Sequence, residues 1–216
     1  MELEVFSDVV CPWCLLGARR LDLALDELDR TGTLERDAVT VRWRAFQLDP
    51  SAPAEPQDLR PTIDRKYGPG SFDVMTQRLS TLGHEVGIDY RFDLAQRVNT
   101  FDAHRLLAWS ATQPAGQGQL VGLLFTAYFT SGADVSDHAT LVGLADAAGL
   151  DPQAASDVLA GDDWSEPVLA DRAAAERLDV SGIPTFVVDG GAVIPGAQDV
   201  ATLVRFLGRL AARNTG

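Results

Sequence analysis

Two cysteines that stand two residues apart, between a strand-like and a helix-like segment, constrain this chain most. Cys11-Pro12-Trp13-Cys14 holds the only two cysteines among 216 residues. The preceding Leu3-Glu4-Val5-Phe6 is typical of a short strand, and apolar residues recur at helical spacing after the motif. Two thiols at this spacing can close a small disulfide ring or share a metal ion. The rest of the sequence has to distinguish these uses.

The helical register predicts different roles for the two cysteines. The apolar stripe has spacings of four, three, four and three, and consists of Cys14, Ala18, Leu21, Leu25 and Leu28. Cys14 is therefore predicted to be buried, and Cys11 to be exposed at the helix N-terminus, where Pro12 is well tolerated. The positive end of the helix stabilises a thiolate. This pattern predicts that Cys11 attacks a disulfide and that Cys14 resolves the mixed disulfide.

A metal site and two unrelated buried cysteines are the alternatives for this pair. Zinc takes four ligands. The chain has no second CxxC motif, and its histidines are His84, His104 and His138. No metal is therefore predicted.

The remaining elements predict an α/β fold interrupted by helices. Val39 to Phe46 alternates like a strand, so the chain begins with a β-α-β unit. A proline-rich linker, Gln47 to Pro61, follows. The predicted helices are Ser71–Val86 with Ser71 as its N-cap, one capped by Asn99 or Thr100, Gln117–Thr130, Ser136–Ala148, Pro152–Ala160 and one capped by Ser165 that runs to Leu178.

Strand character returns near the C-terminal end. Thr185–Val188 and Ala192–Ile194 flank Asp189-Gly190-Gly191, which predicts a hairpin. A last helix begins near Asp199. We therefore predict one sheet with helices on both faces, built from residues 1–50 and 165–216, with residues 51–164 forming a linker and a helical insertion domain.

A second signal is Ser181-Gly182-Ile183-Pro184-Thr185-Phe186. A proline that opens a strand after a glycine-containing loop is a candidate for a cis peptide bond, with an ordinary trans proline as the alternative. A cis bond would turn the backbone of Ile183 outward, where it could pair with an extended substrate.

Composition excludes several classes of function. The net charge is −13, and Lys66 is the only lysine, so a nucleic-acid surface is not expected. No apolar stretch is long enough for a membrane helix, and the N-terminus lacks the pattern of a secretory signal. We therefore expect a cytoplasmic protein, in which a CxxC motif is more often catalytic than structural.

Together these residues resemble the thioredoxin superfamily, particularly its DsbA-like branch and the cytoplasmic FrnE-type oxidoreductases. The resemblance rests on Asp8-Val9-Val10 with the CPWC motif, Asn99-Thr100 with Ala103-His104-Arg105-Leu106, Leu124-Phe125 with Tyr128-Phe129, Gly182 to Phe186, and Gly196-Ala197-Gln198. It implies a thioredoxin-like fold whose large helical insertion caps the dithiol, a cis-Pro184, and thiol–disulfide exchange with a protein or a small thiol. Asp179 stands where the family pattern leads us to expect glycine.

A sister branch, the 2-hydroxychromene-2-carboxylate isomerases and kappa-class glutathione transferases, has Ser at the position of Cys11. The resemblance implies no bound cofactor, and glutathione as a candidate co-substrate near Pro184, Asn99 and Gln198. Two alternative functions remain open: a glutathione-dependent isomerase or transferase, and a redox-sensing chaperone or interaction module. Either a monomer or a homodimer is compatible with the sequence.

Several site assignments compete with structural roles. Trp13 is expected to be exposed between the cysteines. His104 is either a site residue or a buried structural histidine. Asn99 either lines the site or caps a helix, and Gln198 either faces the site or precedes the last helix.

Overall fold

The computed structural model describes residues 1–53 and 55–214, and a mixed four-stranded sheet lies at its centre. In chain order the strands are β1 (Glu2–Ser7), β2 (Thr40–Ala45), β3 (Gln57–Asp58), β4 (Gln96–Arg97), β5 (Thr185–Val188) and β6 (Ala192–Pro195). The sheet order is β2-β1-β5-β6, with β1 and β2 parallel and the other pairs antiparallel. β3 and β4 form a separate antiparallel pair.

The helices surround this sheet and fill the long segment between β2 and β5. They are α1 (Pro12–Arg30), α2 (Arg60–Tyr67), α3 (Ser71–His84), α4 (Phe101–Ser110), α5 (Gln117–Ser131), α6 (His138–Ala147), α7 (Pro152–Ala160), α8 (Ser165–Arg177) and α9 (Val200–Asn214). The predicted order of a β-α-β unit, helices, and a β-β-α unit is confirmed.

Alternation along β1 explains why helices cover both faces of the sheet. Leu3 and Val5 point to one face, where they pack against leucines of α1 and α9. Phe6 points to the other face and packs against Ala174 and Ala175 of α8. Since successive side chains of a strand point to opposite faces, one strand anchors both layers. The predicted fold class, an α/β sheet with a helical insertion, is confirmed.

A third apolar core lies among the inserted helices and includes both cysteines. Leu106 of α4, Leu124 of α5, Leu141 of α6 and other buried residues pack in one cluster with Cys11 and Cys14. The N-terminus of α1 therefore lies where the sheet and the inserted helices meet.

Several element boundaries differ from the prediction. Ser71 and Ser165 are the first helical residues rather than caps; the cap positions are Gly70, with φ of 78°, and Trp164, with φ of 66°. The proline-rich segment contains β3 and leads into α2, which begins at Arg60. Sequence reasoning missed α2 and the β3–β4 pair because two-residue strands and a single short helix carry too little periodicity.

Among residues 1–53 and 55–214, no helix has both the length and the apolar character required to cross a bilayer.

Candidate active site

Cys11 occupies the N-terminal cap of α1, where the chain turns out of β1. Its backbone N–H donates to the Asp8 carbonyl at 3.0 Å, and its carbonyl accepts from the backbone N–H groups of Cys14 and Leu15. Pro12 lies in the first turn, where no N–H is needed. The Cys11 side chain makes no capping hydrogen bond, and both cysteines are free thiols. The predicted position at the helix N-terminus is confirmed.

The prediction that Cys11 is exposed is wrong. Only 3% of Cys11 and 1% of Cys14 is accessible to solvent. Cys11 belongs to the apolar cluster of the inserted helices, together with Tyr90 and Phe129. Helical periodicity identified the side of α1 that faces the sheet, but a second layer of helices covers its N-terminus as well. The two thiols therefore differ in their neighbours rather than in their exposure.

Cys14 lies in surroundings that favour its neutral form. Burial raises the pKa of the Cys14 thiol well above its ordinary value, and the neighbouring Cys11 raises it further. The Asp8 backbone and the Ser7 hydroxyl act in the opposite direction and do not cancel the effect of burial. A thiolate at Cys14 thus requires a partner that removes the proton.

The loop before β5 faces Cys11 from the other side of the site. The Ile183–Pro184 peptide bond is cis. The Cys11 thiol donates to the Ile183 carbonyl at a long distance of 4.0 Å. The loop is held by a 2.7 Å hydrogen bond from the Thr185 hydroxyl to the Gly182 carbonyl. The structure therefore brings Ile183 and Pro184, as well as Cys14, next to Cys11.

Two residues of α1 hold this loop close to the helix. A Cβ atom at Gly17 would lie 2.8 Å from the Cγ atom of Pro184 and 3.3 Å from the Phe186 ring. Arg20 is buried and donates to the Ala197 carbonyl at 2.9 Å. Glycine at position 17 allows α1 to approach the proline, and Arg20 fixes the chain segment that follows β6.

Tyr90 holds the CPWC segment from the inserted part of the chain. Its hydroxyl donates to the Pro12 carbonyl at 2.6 Å. Its ring stacks on Phe92 with centroids 4.8 Å apart and meets Phe129 edge-on at 5.4 Å. Burial and the nearby Cys11 raise the pKa of Tyr90, so the hydroxyl keeps its proton as a donor. A Cβ atom at Gly83 would lie 2.6 Å from this ring, so glycine makes room for it.

Trp13 is half-buried, whereas the sequence led us to expect an exposed side chain. Its ring packs against the inserted helices, and the guanidinium of Arg78 in α3 lies 5.5 Å from the ring centroid. This arrangement is a cation–π contact between the motif and the insertion.

His104 reaches the back of the site from α4. Its Nε2 lies 3.2 Å from Oδ1 of Asp8, and the Leu48 backbone N–H donates to Oδ2 of the same carboxylate at 2.7 Å. Only 4% of His104 and 1% of Asp8 is exposed. The pair therefore lies in the interior, next to the strand–helix turn that carries the cysteines.

Asn99 and Gln198 lie further from the thiols. Asn99 accepts from the Phe101 backbone N–H at 2.9 Å and donates to the Ala52 carbonyl at 2.9 Å, which closes the N-terminus of α4. Gln198 donates to the Pro195 carbonyl at 2.6 Å. Within residues 1–53 and 55–214, no hydrogen bond joins either side chain to a cysteine. Asn99 also borders a pocket that is lined by Gln47, Pro50, Asn99, Phe101, Asp102 and Ser136.

A metal centre has no ligand set in the described part of the chain. No group of three or more His, Cys, Asp or Glu side chains there is placed to hold a metal ion. What the geometry offers is a pair of thiols at a helix N-terminus, opposite the carbonyl of a residue that precedes a cis proline.

Sequence reasoning missed several residues that shape this site. Gly17, Arg20 and Tyr90 contact the site through partners that are distant in the sequence, and no local motif distinguishes them. Ser7 ends β1 with a buried hydroxyl, which the alternation of the strand did not reveal because its last residues are all buried.

The chain is similar to known proteins over nearly its whole length. A family model described as DSBA-like thioredoxin domain matches residues 2–208. A crystal structure from Streptomyces coelicolor, described as the "probable DsbA oxidoreductase SCO1869", is 30% identical, with a TM-score of 0.87 over 97% of this chain and 89% of that chain.

Two further solved structures share the fold at lower identity. A 2-hydroxychromene-2-carboxylate isomerase is 19% identical, with a TM-score of 0.71 over 100% of this chain and 98% of that one. The cytosolic disulfide reductase DsbM from Pseudomonas aeruginosa is 19% identical, with a TM-score of 0.67 over 97% and 98% of the two chains, and has also been solved with GSH.

Proposed function

Because the chain belongs to the DSBA-like thioredoxin domain family, we propose that it is a thiol–disulfide oxidoreductase that works through Cys11 and Cys14. The proposal is carried by one observation: Cys11 lies at the N-terminus of α1, with its sulfur facing the Ile183 carbonyl beside the cis-Pro184 bond. A helix N-terminus stabilises the thiolate that attacks a disulfide.

The reaction proceeds in two exchanges. The Cys11 thiolate attacks one sulfur of a substrate disulfide, forms a mixed disulfide and releases the other sulfur as a thiolate. Cys14 then attacks Cys11, which forms the intramolecular disulfide and releases the second substrate thiolate. The substrate gains two electrons, and the protein dithiol is oxidised. The reverse sequence oxidises a dithiol substrate.

The surroundings of the cysteines support separate roles for them. Cys11 faces the loop whose backbone at Ile183 could pair with an extended substrate. Cys14 faces Ser7 and the Asp8 backbone, and burial keeps it protonated until it is needed. Because Cys11 is only 3% exposed, a protein substrate must displace part of the cover before its sulfur can reach Cys11.

A glutathione-dependent isomerase or transferase is the second candidate function. Two observations favour it: the match to a 2-hydroxychromene-2-carboxylate isomerase along the full chain, and the pocket that Asn99 and Gln47 border. Glutathione is also a candidate co-substrate of the oxidoreductase reaction, since DsbM, which shares the fold, was solved with GSH. Two cysteines in the motif support disulfide exchange as the first candidate.

A redox titration followed by thiol trapping tests the proposal on the wild-type protein, Cys11→Ser and Cys14→Ser. We expect an intramolecular disulfide in the wild type, a stable mixed disulfide with substrate in Cys14→Ser, and neither in Cys11→Ser. If the wild type forms no intramolecular disulfide at any potential, the proposal is wrong. Glutathione binding that survives Cys11→Ser, in a wild-type protein without disulfide exchange, would favour the isomerase or transferase instead.

We also propose that the protein works in the cytoplasm, where a free CxxC pair is more often catalytic than structural. DsbM, which shares the fold, is described as cytosolic. Fractionation of cells that produce the protein with its native N-terminus checks the location, and recovery from an extracytoplasmic fraction contradicts it.

A further inference from the structure

Ser7 carries a buried hydroxyl next to Cys14. Ser7 ends β1 and is 5% exposed. Within the described part of the chain its Oγ has no hydrogen-bond partner of ordinary geometry, although it lies close enough to Cys14 to counteract part of the effect of burial on that thiol. Buried hydroxyls are nearly always paired with protein or water, so this hydroxyl calls for a physical explanation.

A small cavity beside Ser7 supplies that explanation. Its volume is about 20 Å³, which is enough for one water molecule. Ser7 and His104 both line it, together with Arg44 and Asp171. A water molecule in this cavity would give Ser7 Oγ its missing partner and would connect it with the imidazole of His104.

His104 lines the same cavity and carries an imidazole that can accept a proton. When Asp8 is ionised, Nε2–H of His104 donates to Oδ1 of Asp8 across 3.2 Å, and Nδ1 is left with a free electron pair. If the ring takes up a second proton, the carboxylate beside it stabilises the imidazolium. The Leu48 N–H on Oδ2 holds this carboxylate in position.

The resolving reaction creates the need for such an acceptor. Cys14 has to lose its proton to attack the mixed disulfide, but burial favours its neutral thiol. Bulk water is excluded, since Cys14 is 1% exposed. A proton that leaves this thiol must therefore travel through groups in the interior.

We propose that Ser7 and His104 form a proton relay for Cys14, completed by one water molecule in the cavity between them. This inference rests on the proposed function. In the mixed disulfide, the Cys14 proton passes through the Ser7 hydroxyl and the water to Nδ1 of His104. The electron pair of Cys14 forms the S–S bond with Cys11, the bond between Cys11 and the substrate sulfur breaks, and the substrate leaves as a thiolate with that bonding pair. The imidazolium then returns its proton to solvent.

Other charged and titratable groups surround the relay. Those that face Ser7, Cys14 and His104 are Asp8 and Cys11 before and at the start of α1, Arg44 of β2, Tyr90 before β4, Tyr128 of α5, and Asp171 of α8. The Arg44 guanidinium has no acceptor atom. Both carboxylate oxygens of Asp171 are already paired, Oδ1 with Arg44 Nε at 2.5 Å and Oδ2 with the Ala45 backbone N–H at 2.8 Å. His104 differs from both, because the contacts of its ring involve Nε2 and the Asp8 carboxylate lies beside it.

The test separates attack by Cys11 from resolution by Cys14. Reduced protein is mixed in a stopped-flow instrument with an equimolar aromatic disulfide that releases a coloured thiolate at each step. We expect two phases in the wild type. In Ser7→Ala the ratio of the second rate constant to the first should fall at least about tenfold, because general acid–base assistance is typically worth a hundredfold or more. His104→Gln should show a similar fall, and Ser7→Thr, which keeps a hydroxyl, should restore the ratio to within about threefold of the wild type.

The stability of the variants distinguishes a relay from a structural role, because it should not change in parallel with the ratio of rate constants. Ser7→Ala removes a hydroxyl that has no protein partner of ordinary geometry, so its urea midpoint should fall less than that of a variant that loses a protein hydrogen bond. Ser110→Ala is the matched control, because the buried Ser110 hydroxyl donates to the Leu107 carbonyl at 2.8 Å. We expect Ser110→Ala to lower the midpoint and to leave the ratio of rate constants unchanged.

The outcomes distinguish failure of the relay from failure of the proposed function. A wild type without the second phase contradicts resolution by Cys14, and with it the proposed function. A wild type with both phases, together with a Ser7→Ala variant whose ratio is unchanged, overturns the relay alone. An equal fall in Ser7→Ala and Ser110→Ala also overturns the relay, because it would trace the effect to general loosening of the core.

Discussion

The contact between Gly17 and Pro184 leads to a quantitative prediction for Gly17→Ala. The added Cβ would lie 2.8 Å from Pro184 Cγ, about 0.6 Å short of ordinary van der Waals contact at 3.4 Å, and 3.3 Å from the Phe186 ring. A proline ring cannot swing away, so α1 and the loop must separate. Such overpacking costs about 1–3 kcal/mol, whereas alanine gains about 1 kcal/mol over glycine inside a helix. We expect a net loss of about 1 kcal/mol in the free energy of unfolding.

The same separation of α1 and the loop should also slow the exchange reaction at Cys11. Cys11 lies 4.0 Å from the Ile183 carbonyl, so a shift of this loop changes the position of the group that faces the sulfur. Displacements below 1 Å are sufficient to lower rates of positioned reactions severalfold or more. We expect exchange between Cys11 and a disulfide substrate to slow by about threefold to tenfold. Urea unfolding of the reduced protein measures the stability, and stopped-flow exchange measures the rate.

Gly122→Ala is the matched control, because Gly122 lies inside α5 and a Cβ atom there would meet nothing within 4 Å. This variant should gain up to about 1 kcal/mol from helix propensity and exchange at the wild-type rate. The stability difference between the two variants therefore isolates the cost of the close approach. If Gly17→Ala is as stable as Gly122→Ala and equally fast, the contact between α1 and Pro184 does not position the site.

Two further predictions concern Tyr90 and Cys14. Tyr90→Phe leaves the Pro12 carbonyl without its donor and should lower the free energy of unfolding by about 1 kcal/mol. It should also change the rate of exchange between Cys11 and a disulfide substrate. Tyr128→Phe, which loses a comparable hydrogen bond to the Gln96 carbonyl, should affect stability alone. Equal exchange rates in both variants would contradict a positioning role for Tyr90. Cys14 has a raised pKa in the folded protein, so the reduced protein should lose stability as the pH rises above about 9, the ordinary value, where the unfolded thiol has ionised and the folded one has not. Urea midpoints across this range check the loss, and an equal loss in Cys14→Ser would refute its origin.

Local signals in the sequence were sufficient for the parts of the fold that depend on local chemistry. Pro12 and the stripe from Cys14 onward indicated where α1 begins, and the helix begins there. Asp189-Gly190 indicated the β5–β6 hairpin, and both residues have positive φ, at 47° and 67°, as a tight hairpin turn requires. Asp179 has φ of 54°, which accounts for the expectation of glycine at that position.

Exposure at the site could not be predicted in this way. The register of α1 correctly indicated that Cys14 is buried, but it carried no information about what covers Cys11. That cover comes from residues such as Tyr90 and Phe129, whose proximity to Cys11 is a property of the assembled helices. The same limit applies to Gln198, which closes its own turn on Pro195, and to His104, whose partner Asp8 is 96 positions away.

The CPWC segment is held from three directions by residues that are remote in the sequence. Tyr90 binds the Pro12 carbonyl from 78 positions away, His104 binds Asp8 from 96, and the Ile183 carbonyl meets the Cys11 sulfur from 172. Each contact acts on a different part of the segment: the backbone inside the motif, the turn before it, and the thiol itself. A chain with the same motif but other residues at these positions would hold its thiols differently. The chemistry of the pair therefore depends on the three contacts as much as on the motif.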